Sequence, residues 1–382
     1  MSKDFFQMRF IHTSDWHLGR QFHNVSLLDD QRHVLLQLIE LITEHQVDAV
    51  VIAGDIYDRS VPPAAAVQLL DEVLHKICNE LHTPVIMIPG NHDGSERLGF
   101  ASRHLTQAGL HIISDLKQMT TPVTIGSVCF YGIPYNDPET VRHSFDTTVS
   151  GYDEAHAFLI NEIHQVKSAD KLNVLISHCY LAGGEASESE RPLSIGGAEL
   201  VSVASVQGFD YVALGHLHSP QSRGSDRIRY SGSLLKYSFS EVTQKKGVTL
   251  VELADDGVIN TQHLDLTPLR DMRVIEGEMN TILETGKVAT YREDYLLVRL
   301  TDRHAILDAM GKLRAVFPNI LHLEKPGLIS LDGAVMRGPE KLKQGEVEMF
   351  GDFFEQVQGE SLSAAQLDAI KAIIQEARSE AV

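Results

Sequence analysis

Residues 48–58 read DAVVIAGDIYD, an apolar run from Ala49 to Ala53 that passes straight into Gly54-Asp55-Ile56-Tyr57-Asp58. An unbroken Val/Ile-rich run of strand length, ended by glycine, reads as a strand buried on both faces of a sheet. A carboxylate just beyond it stands where α/β sheets gather ligand groups, because loops leaving the C-terminal ends of strands converge on a shared crevice. The arrangement recurs along the chain. Phe10 to Thr13 leads into Ser14-Asp15-Trp16-His17, Pro84 to Pro89 into Gly90-Asn91-His92-Asp93, Leu172 to Ser177 into His178, and Tyr211 to Leu214 into Gly215-His216-Leu217-His218.

The stretches between these strands carry the complementary signal. Val34, Leu35, Leu38, Ile39 and Ile42 at helical spacing predict a helix over Leu27 to His45, and Pro62-Pro63 suits the start of another over Ala64 to Leu81. A third is expected from Glu96 to Ala108. This βαβα rhythm argues for largely parallel strands. Further on, Thr121 to Ile125 and Val128 to Ile133 flank the hairpin signal Gly126-Ser127; a helix is expected over Tyr152 to Val166 and a strand over Arg227 to Tyr230. Val248 to Leu253 and Val258 to Leu264, around Asp255-Asp256-Gly257, read as a closing hairpin.

The expectation is an α/β fold, a mixed two-sheet β-sandwich flanked by helices, over residues 1–268. A small α+β capping domain is expected over 271–338, with strands Val274 to Met279, Tyr295 to Thr301 and Ile320 to Glu324 and a helix Ala305 to Val316. Beyond Gly338-Pro339, residues 339–382 read as an acidic helical tail. Val347, Phe350, Phe353, Phe354 and Val357 set an apolar stripe on a helix from Glu346 to Val357, and a second helix follows over Ala364 to Ala377.

Composition sets limits. A chain of 382 residues is long for one core, which fits a large domain with smaller additions. With 43% hydrophobic and 22% charged residues it is ordinary for a globular protein. Its apolar runs fall well short of the roughly 18–20 residues a membrane helix needs, and no basic-then-apolar leader pattern opens it. Cys78, Cys129 and Cys179 are widely spaced and odd in number, so they suggest neither a disulfide framework nor a zinc ribbon. A reducing cytoplasm is the expected home.

The five loops supply carboxylates, imidazoles and one carboxamide, a donor set suited to divalent Mn, Fe, Mg or Zn. Taken singly each is weak. D-x-H is more often a capped loop with a surface histidine, and Gly90-Asn91-His92-Asp93 can be a turn in its own right. His216 and His218 share one face of an extended strand without thereby implying a metal. Their joint occurrence, always after an apolar strand, is what points to a metal centre.

The order D-x-H, G-D-x-x-D, G-N-H-D, H, G-H-x-H resembles the calcineurin-like metallophosphoesterase superfamily. Within it, Ile11 to Gly19, Ala53 to Asp58, Gly90 to Asp93, Tyr211 to His218 and Tyr230-Ser231-Gly232-Ser233 closely resemble the SbcD nuclease subunit family, and the likeness spans the full chain. The resemblance implies two metals, with manganese expected. One would be held by Asp15, His17, Asp55 and His218, the other by Asp55, Asn91, His178 and His216, so that Asp55 bridges. Two cations neutralise an anionic phosphodiester, lower the pKa of a bound water and orient it for in-line attack. His92 would orient the phosphate or protonate the leaving oxygen, and Asp58 would hold its imidazole in the required tautomer. Some relatives carry histidine where Asp58 stands. Arg59 reads equally as a phosphate contact or a surface arginine, and His12, His23 and His33 read as structural or surface residues.

So read, the chain is the nuclease subunit of an SbcC–SbcD type ATPase–nuclease complex, a double-strand exonuclease and single-strand endonuclease of DNA repair, recombination and replication. The small domain would cap the site and bind DNA, the tail would dock on the SbcC ATPase, and the subunit would be a homodimer within a heterotetramer. A formal net charge of −19 counts against unaided DNA binding, which draws most of its affinity from phosphate neutralisation. Bound metals or a partner that holds the DNA would resolve it. A phosphomonoesterase or cyclic-nucleotide phosphodiesterase, and a non-catalytic scaffold, are the alternatives; a scaffold should have lost ligands, and all seven donors remain.

Overall fold

The structure, a computed structural model, describes residues 6–190, 199–254, 257, 259–302, 306–325, 347–348, 350–351, 354–355 and 360–380. It divides into two compact units, Met1–Leu269 and Arg270–Val382. The first is built on β1 (Phe6–Thr13), β2 (Ala49–Ala53), β3 (Val85–Ile88), β4 (Leu110–Ile112), β5 (Val123–Ile125) and β6 (Val128–Ile133). It continues with β7 (Leu172–His178), β8 (Tyr211–Gly215), β9 (Gln221–Arg223), β10 (Ser225–Tyr230), β11 (Gly247–Ala254) and β12 (Ile259–Asp265). Among the described residues these form two six-stranded sheets, ordered β12-β11-β1-β2-β3-β4 and β9-β10-β8-β7-β6-β5.

Both sheets are mixed for the same reason. Their centres are parallel, with β1, β2, β3 and β4 in one and β6, β7, β8 and β10 in the other. Antiparallel hairpins close one edge of the first sheet, at β11-β12, and both edges of the second, at β9-β10 and β5-β6. Side chains of opposite pleat divide the work. Ala49, Val51, Ala53, Ile86 and Ile88 of the first sheet meet Phe130, Val174, Ile176, Tyr211 and Ala213 of the second in one sandwich core. The outer face of the second sheet, with Tyr131, Leu175, Val212 and Leu214, is covered by α3 (Pro138–Phe145) and α4 (Tyr152–Val166) through Val141, Leu159, Ile160 and Ile163. Earlier helices α1 (Leu28–Glu44) and α2 (Ala64–Leu74) bury Val34, Leu35, Leu38 and Ile42, and Ala66, Leu69, Leu70 and Val73.

The expected two-sheet sandwich is therefore present, with local differences. The helix expected over Glu96 to Ala108 is broken: short turns Ser95–Leu98 and Ser102–Leu105 are separated by Ala101 at φ 60°, and Phe100 points to solvent. The helix expected to run to Leu81 changes pitch, α2 passing into a π-helical turn over His75–Glu80. Asp255, Asp256 and Val258 of the closing hairpin lie outside the described residues.

In the second unit β13 (Met272–Gly277), α5 (Met279–Gly286), β14 (Tyr295–Leu300), α6 (Ala309–Arg314) and β15 (Ile320–Glu324) alternate, and the strands are all parallel. Leu296, Val298, Ile282, Leu313, Phe317 and Ile320 make its core. Met279, expected at a strand end, instead opens α5. Its amide is capped at 2.8 Å by Asp302, distant in sequence, so no local signal marks the start. Ala305 lies outside the described residues, as do the Gly338-Pro339 boundary, Phe353 and Val357. The last helix, α7 (Ala364–Glu380), is present.

Two buried histidines of the first unit have consequences for acid stability. His12 lies between the Tyr211 hydroxyl (3.0 Å) and the Leu214 carbonyl (3.1 Å), as a structural histidine should. Burial lowers its pKa from 6.5 to about 3, and that of His156 from 6.5 to about 4. Below pH 6.5 the unfolded chain takes up protons that the folded one refuses. The resulting stability is thus complete above that pH and is lost as pH falls toward 4. We expect His156→Leu to flatten this loss by about 1.4 kcal/mol per pH unit, read from urea midpoints at pH 7 and 5. Equal pH dependence in both proteins would contradict it.

Candidate metal centre

All five marked loops leave the same end of the sandwich. The first two are zipped together by main-chain bonds, Asp15 N to Gly54 O (3.0 Å), His17 N to Asp55 O (2.9 Å) and Leu18 N to Ile56 O (2.9 Å). Turning inward at once after a strand demands unusual backbone. Asp15, His17 and Asp55 have φ of 53°, 46° and 52°, and His216 has φ 105°. Such conformations cost on the order of 1–3 kcal/mol each and persist where the surroundings enforce them. Gly54, at φ 92°, is needed for space as well: a Cβ there would lie 2.3 Å from His178 Nδ1.

The donor atoms then converge. Asp55 Oδ2 stands 3.6 Å from His17 Nε2 and 3.6 Å from His178 Nε2, between two groups of side chains. On one side His17 Nε2 is 3.1 Å from His218 Nε2, and Asp15 joins them in a cluster with ligand atoms inside 4.8 Å. On the other, Asn91 Oδ1 is 3.0 Å from His178 Nε2 and 3.3 Å from His216 Nδ1. His92 donates its amide to Asp55 Oδ1 (2.8 Å) and holds its Nε2 4.0 Å from Asp55 Oδ2.

The chemistry of this set fits cations. His178 donates Nδ1–H to the Ala53 carbonyl at 2.8 Å, so its neutral ring turns a bare Nε2 toward another acceptor, Asn91 Oδ1. Two acceptors facing one another, beside buried carboxylates, are reconciled by a positive ion between them. Burial, then neighbouring imidazoles, hold His17 and His216 well below the usual histidine range; burial also lowers His178 against the pull of Asp55. Neutral imidazole is the ligating form. Burial first, and the Asp55 charge second, hold the Asp15 carboxyl well above its ordinary range.

All seven expected ligands are brought together; Asp58 is placed differently from expectation. His92 Nδ1 bonds to the Asp58 main-chain carbonyl at 2.8 Å, whereas the Asp58 carboxylate turns to Arg20 at 3.2 Å. A carbonyl accepts only, so the contact fixes the tautomer through the backbone. Arg59 is 61% exposed at the rim, its Nε 3.7 Å from Asp58 Oδ2. His23 is exposed and His33 half-buried. Asp93 closes the Asn91 loop, accepting from Ile56 N, Tyr57 N and Gly90 N at 3.1, 2.9 and 2.9 Å.

Several supporting residues had no role in the sequence reading. Gln31 accepts from Gly19 N and donates to the Trp16 and His17 carbonyls, and Tyr237 donates to the Trp16 carbonyl. One signal was available: Gln31 is a polar residue at i−3 and i−4 from Val34 and Leu35, on the buried face of α1. Ser231, of the Tyr-Ser-Gly-Ser block, meets Ser14 at 3.0 Å, and Ser14 holds Asp15 at 2.5 Å.

Comparison with known proteins supplies independent findings. The pattern of the calcineurin-like phosphoesterase family matches residues 8–220, and that of the type 5 capsule protein repressor C-terminal domain matches residues 268–358. The SbcD component of the SbcCD nuclease from Staphylococcus epidermidis is 36% identical over 368 residues, covering 96% of this chain and 98% of its own. A solved dimetal phosphatase from Danio rerio, at 13% identity, covers 68% of this chain and 99% of its own with a TM-score of 0.41. A solved Thermus thermophilus protein, also at 13%, covers 67% and 98% with a TM-score of 0.39.

Proposed function

Since this chain belongs to the calcineurin-like phosphoesterase family and, within it, to the SbcD nuclease subunits, we propose that it is a metal-dependent DNA nuclease. The observation that carries this reading is the convergence on Asp55 of nitrogen and oxygen donors from separate strand ends. We assign Asp15, His17, Asp55 and His218 to one divalent ion and Asp55, Asn91, His178 and His216 to the other, with manganese as the metal in both. When bound, such a pair neutralises the phosphate and lowers the pKa of the attacking water. The chain's own contribution is placement. His178 and His92 have their Nδ1 protons taken by main-chain carbonyls, so each presents Nε2 to the centre. With a second proton taken up on Nε2, His92 as an imidazolium would hold a phosphate oxygen or give that proton to the leaving oxygen.

We assign the physiological role to double-strand exonuclease and single-strand endonuclease action beside an SbcC-type ATPase, in the cytoplasm. The charge of −19 supports a partner that holds the DNA. Among the described residues no helix is long and apolar enough to cross a membrane, and the three cysteines are free and buried. A second copy of the chain has a candidate seat. Val61, Val67 and Phe100 are 64%, 44% and 81% exposed, and the last two line a largely apolar hollow of about 420 Å³ beside α2.

The test compares linear duplex DNA with para-nitrophenyl phosphate, with Mn²⁺, with and without the ATPase partner. Cleavage of DNA in preference to the monoester is expected. A turnover confined to the monoester or to cyclic nucleotides would replace the nuclease reading with a phosphatase one.

A further inference from the structure

The atoms behind the His218 ring are arranged as closely as those in front. His218 Nδ1 lies 2.6 Å from Ser189 Oγ, and Ser189 in turn donates to Glu241 Oε1. Glu241 is completely buried, and its Oε2 is 2.6 Å from Lys246 Nζ. Lys246, itself buried, also donates to the His218 carbonyl (2.8 Å) and to Ser233 Oγ (2.9 Å). From the same loop, Ser187 gives its proton to Glu190 Oε2 at 2.5 Å, and Glu190 Oε1 accepts the His218 amide at 2.8 Å.

Counting protons fixes the direction of the two short bonds at Ser189, to His218 and to Glu241, while its longer 3.0 Å contact with Ser187 Oγ carries no hydrogen. A carboxylate beside a buried ammonium can only accept, and a serine hydroxyl has one proton to give. That proton goes to Glu241, so the Ser189 oxygen must accept from His218. The imidazole therefore carries its hydrogen on Nδ1, and Nε2 keeps a lone pair 3.1 Å from His17 Nε2, in the cluster with Asp15. Were Nε2 protonated instead, Ser189 would have to donate to Nδ1, leaving two bare oxygens in short contact.

We propose that Ser189, held by Glu241 and Lys246, is a positioning residue that fixes His218 as the Nδ1–H tautomer and so sets the affinity of one cation site. This rests on the two-metal reading above. Partners of this kind orient a ligating imidazole and raise its basicity, and their removal typically costs about 10–100-fold in metal affinity. The effect should be confined to one ion, because Asn91, His178 and His216 take their partners from Ala53 and from one another. The polar loop 184–190 would thus report to the His218 site alone.

Ser189→Ala carries the test, since Glu241→Gln would strand Lys246 without its counter-charge and endanger folding. Manganese binding to the full chain is titrated calorimetrically for wild type, Ser189→Ala and Ser189→Thr, and each metal-free protein is melted. Wild type should bind two ions. Ser189→Ala should bind one of them about 10–100-fold more weakly and the other normally, Ser189→Thr should restore it, and the metal-free melts should agree. The proposal is overturned if both ions bind Ser189→Ala as they bind wild type, or if threonine fails to rescue. Joint weakening of both sites with a lowered metal-free melt would overturn it too, marking a merely structural serine. Wild type that takes up no manganese would instead refute the metal-centre reading beneath it.

Discussion

Asp55→Asn is expected to empty both cation sites and to lower phosphodiester hydrolysis by about 10⁴-fold or more, about 5 kcal/mol in the barrier, while the metal-free protein melts no lower than wild type. The substitution is nearly isosteric, and asparagine can still offer Oδ1 to the His92 amide, now 2.8 Å away. It removes the one anionic oxygen that stands 3.6 Å from both His17 and His178, the position from which a carboxylate would serve two cations. Without cations that charge is a liability. Burial first and Asp55 second hold the Asp15 carboxyl well above its usual range and raise Asp93 from 3.8 to about 7. A carboxyl raised in the folded state contributes stability below its unfolded pKa and loses it as pH climbs through the folded value. Metal-free wild type should therefore lose stability from Asp93 between about pH 4 and 7, and Asp55→Asn should lose less. Melting in chelator at pH 5 and 8, with metal content by mass spectrometry, reads both halves. Retention of two ions by the variant would remove Asp55 from the bridging role, and a melt several degrees below wild type would show the residue to be structural.

The opposite demands on Asp55 explain what could be read in advance. Parallel central strands were legible because burial on both faces leaves an unbroken run such as Ala49 to Ala53, all buried. The seven donors were legible because each directly follows such a run, where the sheet fixes its direction. The supports were not, because they are distant in sequence and ordinary in type. Ser189 meets His218 from a polar loop 29 positions earlier, and Glu241, which holds Ser189, lies 52 positions beyond it; no spacing links these positions. Backbone strain is nearly as silent: Asp and His adopt left-handed φ more readily than most residues, but nothing in the letters singles out Asp15, His17 and Asp55 for it. The Asp58 role failed for a related reason. A motif gives residue identity, yet the atom that meets His92 is a main-chain oxygen any residue could supply.

His92→Ala is expected to keep both metals and to lose about 10²–10⁴-fold in DNA cleavage, and the choice of substrate can say why. With Nδ1–H committed to the Asp58 carbonyl at 2.8 Å, Nε2 is the ring's only exchanger of protons with the site, 4.0 Å from Asp55 Oδ2. Once the ring carries a second proton on Nε2, either it passes that proton to the departing sugar oxygen, or it donates it in a hydrogen bond to a phosphate oxygen and fixes the phosphate for attack. A sugar alkoxide is a poor leaving group and needs the proton; para-nitrophenolate is stable at neutral pH and does not. If protonation is the role, His92→Ala should be nearly as fast as wild type on bis-para-nitrophenyl phosphate while failing on DNA. If orientation is the role, both substrates should slow together and KM should rise. Comparable loss on the two substrates with one manganese missing would sink both ideas, because it would put His92 among the ligands, where its grouping with His17 and Asp55 makes it the first candidate to check.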